Sequence, residues 1–442
     1  MIPKTPSDDS RGSYKIRLSA LRALGYRNYR LFFTGQSISL IGTWTTRLAT
    51  SWLVYRLARS GFLLGLIGFT GQIPTFLLAP IGGVWADRLD RRGVLILTQI
   101  LLALQTLTMA VLTLSERITL LEIICLSLLQ GVINAFEIPS RNAFLVDLVE
   151  GRADWGNAIA LTYSMENMAR LVGAALAGFT IAAVGEGYCF VLDGVSYLAV
   201  IASLLMMRIN VLMIKRSGTS VVEELKEGWT YVSGFVPIRT VLLLFAIVCF
   251  IGVPYAVLMP IFASRLLHGG PHTFGSLMAA VGAGALISGI RLATRRSVVG
   301  LDNIIAGSAA LFGVGMIVFS FSRIFWLSLL LMVAIGFGMM QQFTASSTVI
   351  QTLVPEDKRG RVMSYWTMAY MGGVPSGSLL VGGLAYAFGA PGTLVLCGAG
   401  CIIGAGWFWG KRHEMRRLIK PIYEELGIIS AGVASNDKDA AL

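Results

Sequence analysis

Five ionisable side chains stand inside long apolar runs: Arg47, Glu137, Glu166, Arg170 and Asp193. At membrane depth an unpaired charge is costly, so each is read first as a functional group. Glu166 and Arg170 are four residues apart with the acid first, the favourable order on a helix. Either the pair neutralises itself, or it is a coupling site. In the second case a proton on Glu166 frees Arg170 to meet an anionic group of a substrate, and binding expels the proton. Arg47 and Asp193 fall at similar depth and suit a pair across helices, structural or part of an outer gate. Glu137, followed by Pro139 and Arg141, is either an interfacial residue or a further member of the site. None of these groups forms a catalytic constellation. The three histidines and five cysteines have no metal-like spacing, and there is no phosphate-binding loop. An enzyme, a bound metal and a cofactor are therefore not expected.

Helices of membrane-spanning length must position these groups. Of 442 residues, 55% are hydrophobic and only 14% are charged, with a net charge of +12. Soluble proteins carry about 25% charged residues. The charge is gathered into short islands between apolar runs of about 20 residues, enough to cross a bilayer core. Twelve spans are predicted, over 31–55, 62–86, 94–115, 118–138, 156–184, 187–207, 238–264, 273–292, 301–321, 324–349, 362–388 and 391–410. Many of the 50 glycines lie inside these runs, where small residues let helices approach closely. Cys125, Cys189, Cys249, Cys397 and Cys401 are read as apolar fillers. The first run is too long for a signal-peptide core, so no cleavage is expected. With the N-terminus cytoplasmic, 29 Lys and Arg fall on the inner side and 5 on the outer, a strong bias of the positive-inside kind. Dispersal over many short turns explains the net charge better than nucleic-acid binding does.

The chain divides into a basic N-terminal segment (1–30), a six-helix unit (31–207), a linker (208–237), a second six-helix unit (238–410) and a tail (411–442) whose end is expected to be disordered. In the linker, Ser220 and Glu223 have capping-box spacing. Val221, Val222, Leu225 and Trp229 then share one face, as on a surface helix. Six spans on each side of the linker suggest two pseudo-symmetric halves.

The turn after the second span reads GGVWADRLDRRG. From Gly83 it is similar to the loop signature of the major facilitator superfamily, through Gly83, Asp87, Arg88, Arg91 and Arg92, with Asp90 in place of the usual second glycine. The stretches RNYRLFFTGQSISLIGTWTTRLATSWLVYRL, GFTGQIPTFLLAPIGGVWADR, NAIALTYSMENMARLVGAALAG and QTLVPEDKRGRVMSYWTMAYMG extend the likeness over almost the whole chain. They resemble the bacterial efflux branch that includes enterobactin and macrolide exporters. The resemblance implies an all-α membrane protein of the major facilitator fold, with twelve transmembrane helices in two pseudo-symmetric six-helix bundles. It also implies alternating access, usually with proton antiport, in a bacterial cytoplasmic membrane with both termini cytoplasmic. Two departures are visible. Ser127 stands where the span-four signature often has arginine, before Gln130-Gly131. Gly173-Ala174 replaces the Gly-Pro of the span-five antiporter signature.

Between Glu227 and Glu356 the only acid is Asp302, so the second half must line a cavity with neutral groups. Tyr255, Gln341, Gln342, Tyr365, Trp366 and Tyr370 are the candidates, joined by Asn134 from the first half. Each fits packing as well as ligand contact. The expected function is proton-coupled efflux of a small amphipathic organic molecule (drug, siderophore or metabolite) by a protein working as a monomer among membrane lipids. A flippase for lysolipid or lipid-like substrates and a non-transporting scaffold or sensor are the alternatives. Asp87 is expected to help lock the inner side, while the arginines of its turn anchor to the anionic leaflet.

Overall fold

The computed structural model describes residues 22–149, 151, 154–208, 221–295 and 297–428, and these form helices with no strand among the described residues. Most of the basic N-terminal segment, Ser220 of the expected capping box and residues 429–442 lie outside the described residues. The helices in order are α1 (Arg27–Ala58), α2 (Gly61–Thr70), α3 (Ile73–Arg88), α4 (Arg91–Leu114), α5 (Leu120–Asp147), α6 (Trp155–Val184) and α7 (Glu186–Met206). They continue as α8 (Val221–Gly234), the irregular α9 (Val236–Leu266), α10 (Pro271–Ala293), α11 (Leu301–Phe321), α12 (Phe325–Leu353) and α13 (Glu356–Glu425).

Among the described residues, ten segments are long and apolar enough to cross a membrane, with α2 and the start of the adjoining α3 counted as one. Two more crossings are built differently. α1 has 32 residues but is diluted by threonines and serines around Arg47. α13 holds two apolar arms that meet at Gly389, where φ is 72° and ψ 166°. A side chain is strained at such a φ, and glycine is not. Large apolar side chains such as Leu77, Leu121, Phe179, Phe321, Leu330 and Ile403 point outward. An exposed apolar belt of this extent belongs in lipid.

One element differs from the sequence expectation. The fourth span was expected over 118–138, with Pro139 just beyond it. α5 instead runs through Pro139 to Asp147, which membrane helices tolerate where neighbouring groups satisfy the freed backbone. Glu137 thereby lies within a helix body. The second arm of α13 continues into the basic tail as far as Glu425.

In the first half α1 packs on α6 and α7, α4 on α5 and α7, and α3 on α5; in the second, α12 packs on α10 and α11, and α11 on α13. The halves meet along two seams, α6 against α10 and α2 against α13. Each seam joins the second span of one half to the fifth of the other, as a pseudo-twofold relation requires. The residues flanking Arg27 and Glu425 mark one face of the molecule, the terminal face; the turns at 59–60, 185, 267–270 and 389 mark the far face. At the far face the seams close on bare backbone. Gly178 meets Gly275, and a Cβ on Gly65 would fall 2.3 Å from the Ser378 carbonyl oxygen. Trp52 of α1 stacks on Phe274 of α10, with centroids 6.0 Å apart, and the Arg265 guanidinium donates to the Arg59 carbonyl at 3.3 Å.

Candidate functional site

α1 and α6 touch most closely where Gly173 faces Trp44. A Cβ on Gly173 would lie 2.6 Å from the Trp44 Cβ, and the Thr45 hydroxyl donates to the Gly173 carbonyl at 3.2 Å. Two cations approach the Trp44 ring beside this contact. The guanidinium carbon of Arg47 lies 4.6 Å from the ring centroid and that of Arg170 lies 4.7 Å from it. Arginine over indole is a favourable cation–π arrangement. Neither guanidinium has a salt bridge or side-chain hydrogen bond among the described residues, and Arg170 Nε is buried without a partner. Arg47 is exposed. Tyr370 lies within electrostatic reach of Arg47, and Tyr255 within reach of Arg170. Both tyrosines come from the second half, which places the arginines between the two halves.

The expected pairs are not formed. Glu166 does not meet Arg170. It lies 3.7 Å from Arg141 of α5, which also holds Glu137 at 3.3 Å. One cation thus serves two acids, with Glu137 the most buried of the three. The i, i+4 rule names the partner available within a helix, whereas α5 brings a cation from outside it. Arg47 does not meet Asp193 either. Asp193 is fully buried and accepts from the Thr43 and Ser196 hydroxyls at 3.5 and 3.4 Å, while its other oxygen, Oδ2, has no partner. Asn134 is half-buried one turn from Glu137 on α5.

Among the neutral candidates, Trp366 stacks on Phe245 with centroids 3.4 Å apart, and Tyr370 meets Phe343 edge-on at 6.0 Å. Tyr255 is buried edge-on against Phe312. Gln341 and Gln342 are buried beside Ser288 and Ser346. Tyr365 lies against the linker helix α8, with its ring 5.8 Å from Trp229. Trp44 was missed by the sequence reading. Its spacing from Arg47, on the same helix face, was the available signal.

At the terminal face, Asp90 caps α4 by accepting from the backbone of Arg92 and Gly93, each at 3.1 Å. The residue that departs from the signature is thus a helix N-cap. Arg91 pairs with Asp147 of α5 at 2.7 Å, and Arg92 donates to the Leu205 carbonyl at 3.1 Å. These arginines bind protein groups on neighbouring helices. Gly83 has open space where a Cβ would go, and Gly82 makes a close helix contact, against Ala135 of α5. The side chains of Asp87 and Arg88 lie outside the described residues.

Twelve crossings in two bundles, with two arginines at depth between the halves and acids inside the first bundle, describe a multi-pass membrane transporter of major facilitator type. The sequence pattern of the family described as transmembrane secretion effectors matches residues 18–418. The chain belongs to that family. It is 25% identical to the staphyloferrin A transporter of Staphylococcus aureus, over 88% of this chain and 97% of that protein. It is 26% identical to the multidrug efflux pump Tap of Mycolicibacterium fortuitum, over 80% of this chain and 88% of the pump. A solved bacterial homologue of the human lysosomal transporter Spinster, inward-facing and unoccupied, has the same fold with a TM-score of 0.70 at 14% identity, covering 92% of this chain and 99% of that one.

Proposed function

We propose that the chain exports a small amphipathic organic molecule from the bacterial cytoplasm in exchange for protons, by alternating access, as a monomer with both termini inside. The observation that carries this reading is the Glu137–Arg141–Glu166 cluster. Two carboxylates on one guanidinium are neutral overall only when one holds a proton. The cluster can therefore take up and release a proton with a change of net charge inside the first bundle. Asp193, with its unpartnered oxygen, offers a second protonation site. The 29-to-5 distribution of basic residues supports a cytoplasmic terminal face. On that assignment the closed far face is external. The name of one relative, a multidrug efflux pump, supports the outward direction.

Purified protein in liposomes with an imposed pH gradient tests the reading. Uptake of ethidium and of an anionic dye into inverted vesicles is followed for wild type, Glu166→Gln and Asp193→Asn. Loss of the pH dependence in Glu166→Gln supports the assignment. Unchanged coupled flux in both variants sinks it.

A further inference from the structure

We propose that Arg47, Trp44 and Arg170 form an anion-recognition site and that the exported molecule is an organic polycarboxylate with a flat apolar body. This rests on the transporter reading above and specifies its substrate class. Both guanidiniums lie against one indole ring, so they are within about 10 Å of each other, inside one Debye length at 0.1 M salt. Two like charges that close repel unless a counter-charge joins them. The nearby acids are already engaged. Glu166 faces Arg141, and Asp193 faces Thr43 and Ser196. The residues within reach from the opposite half are the neutral Tyr370 and Tyr255. The missing negative charge must therefore come from a ligand. A planar guanidinium presents paired N–H donors that match a carboxylate. Trp44 orients both arginines from one side and leaves their remaining edges for the ligand. The rings of Tyr370 and Phe343, edge-on to each other, supply an aromatic wall on the second half. A flat body carrying two or more carboxylates answers both features, whereas a cationic or neutral amphiphile leaves the two arginines unpaired.

A matched series of probes decides the matter. Full-length protein in nanodiscs is titrated calorimetrically with benzene-1,3,5-tricarboxylate, with its neutral tris-hydroxymethyl analogue and with its cationic tris-aminomethyl analogue. The tricarboxylate is expected to bind and the other two to bind at least tenfold more weakly. Arg47→Gln and Arg170→Gln are each expected to weaken tricarboxylate binding about tenfold or more, the equivalent of one lost charge-assisted hydrogen bond. Arg47→Lys and Arg170→Lys keep the charge and test folding; each is expected to bind between wild type and the glutamine variant. The proposal is overturned if none of the probes binds, if the neutral or cationic probe matches the tricarboxylate, or if the glutamine variants bind within twofold of wild type. Vesicle flux separates this from the broader reading. Arginine-dependent tricarboxylate binding without transport of any probe removes the transporter reading and keeps the site. Transport of the neutral or cationic probe without that binding does the reverse.

Discussion

Arg141 is the cation on which two acids depend, and it has few alternatives to them. Its side chain is 16% exposed and that of Glu137 8%. Removing one partner of a buried ion pair leaves an uncompensated charge, at a cost on the order of 3 kcal/mol. Arg141→Gln is therefore expected to lower thermal stability and abolish proton-coupled flux. The double variant Arg141→Gln with Glu137→Gln should recover part of the stability and none of the coupling, as read by melting curves and liposome flux. In the loop signature, Asp87→Asn is expected to leave insertion and abundance unchanged while slowing transport; flux at the wild-type rate would make the turn an anchor alone. Arg47, Glu137, Glu166, Arg170 and Asp193 were legible as charges in apolar runs, whereas Trp44 and Arg141 were not singled out. The partners of those five were not legible, because a sequence shows neighbours along a helix and not the cation that α5 presents to α6.

The helices were legible to within a few residues at most ends, since apolar length and flanking charge fix where a span meets water. The misread end was that of α5. Whether Pro139 stops a helix depends on tertiary neighbours that the local pattern does not contain. The linkage of α13 was equally hidden, as its tail has the charge of a cytoplasmic segment and the periodicity of a helix at once. Contact between the halves belongs to this scale, and it rests on absent side chains. Gly65→Ala places a methyl 2.3 Å from the Ser378 carbonyl oxygen and is expected to cost the closed far face about 1–3 kcal/mol. It should shift the population toward a far-open form, measured as a longer spin-label distance between the far ends of α2 and α13. An unchanged distance would show that the backbone absorbs the methyl.

Across the whole molecule, the tail ties the second bundle to itself at the terminal face. Arg416 binds Asp302 at 2.7 Å and the Asn303 side chain at 2.9 Å. Close by, burial reinforced by the Asp302 carboxylate pushes the Tyr423 hydroxyl up to about 12. Tyr423 therefore stays neutral throughout the physiological range. Arg416→Ala is expected to lower the melting temperature while leaving the substrate affinity of the purified protein unchanged; a weakened affinity would extend the tail's influence to the seam. Asp302 was visible in the sequence as a lone acid, but its partner lies more than a hundred positions away.

The irregular winding of α9 has a mechanical consequence. Two wide π turns, Val248–Gly252 and Phe262–Leu266, flank the tight 3₁₀ stretch Val253–Leu258 that carries Pro254. A 3₁₀ residue rises about 2.0 Å and an α residue about 1.5 Å, so rewinding six residues changes the length of the span by roughly 3 Å. α9 therefore stores slack along its own axis.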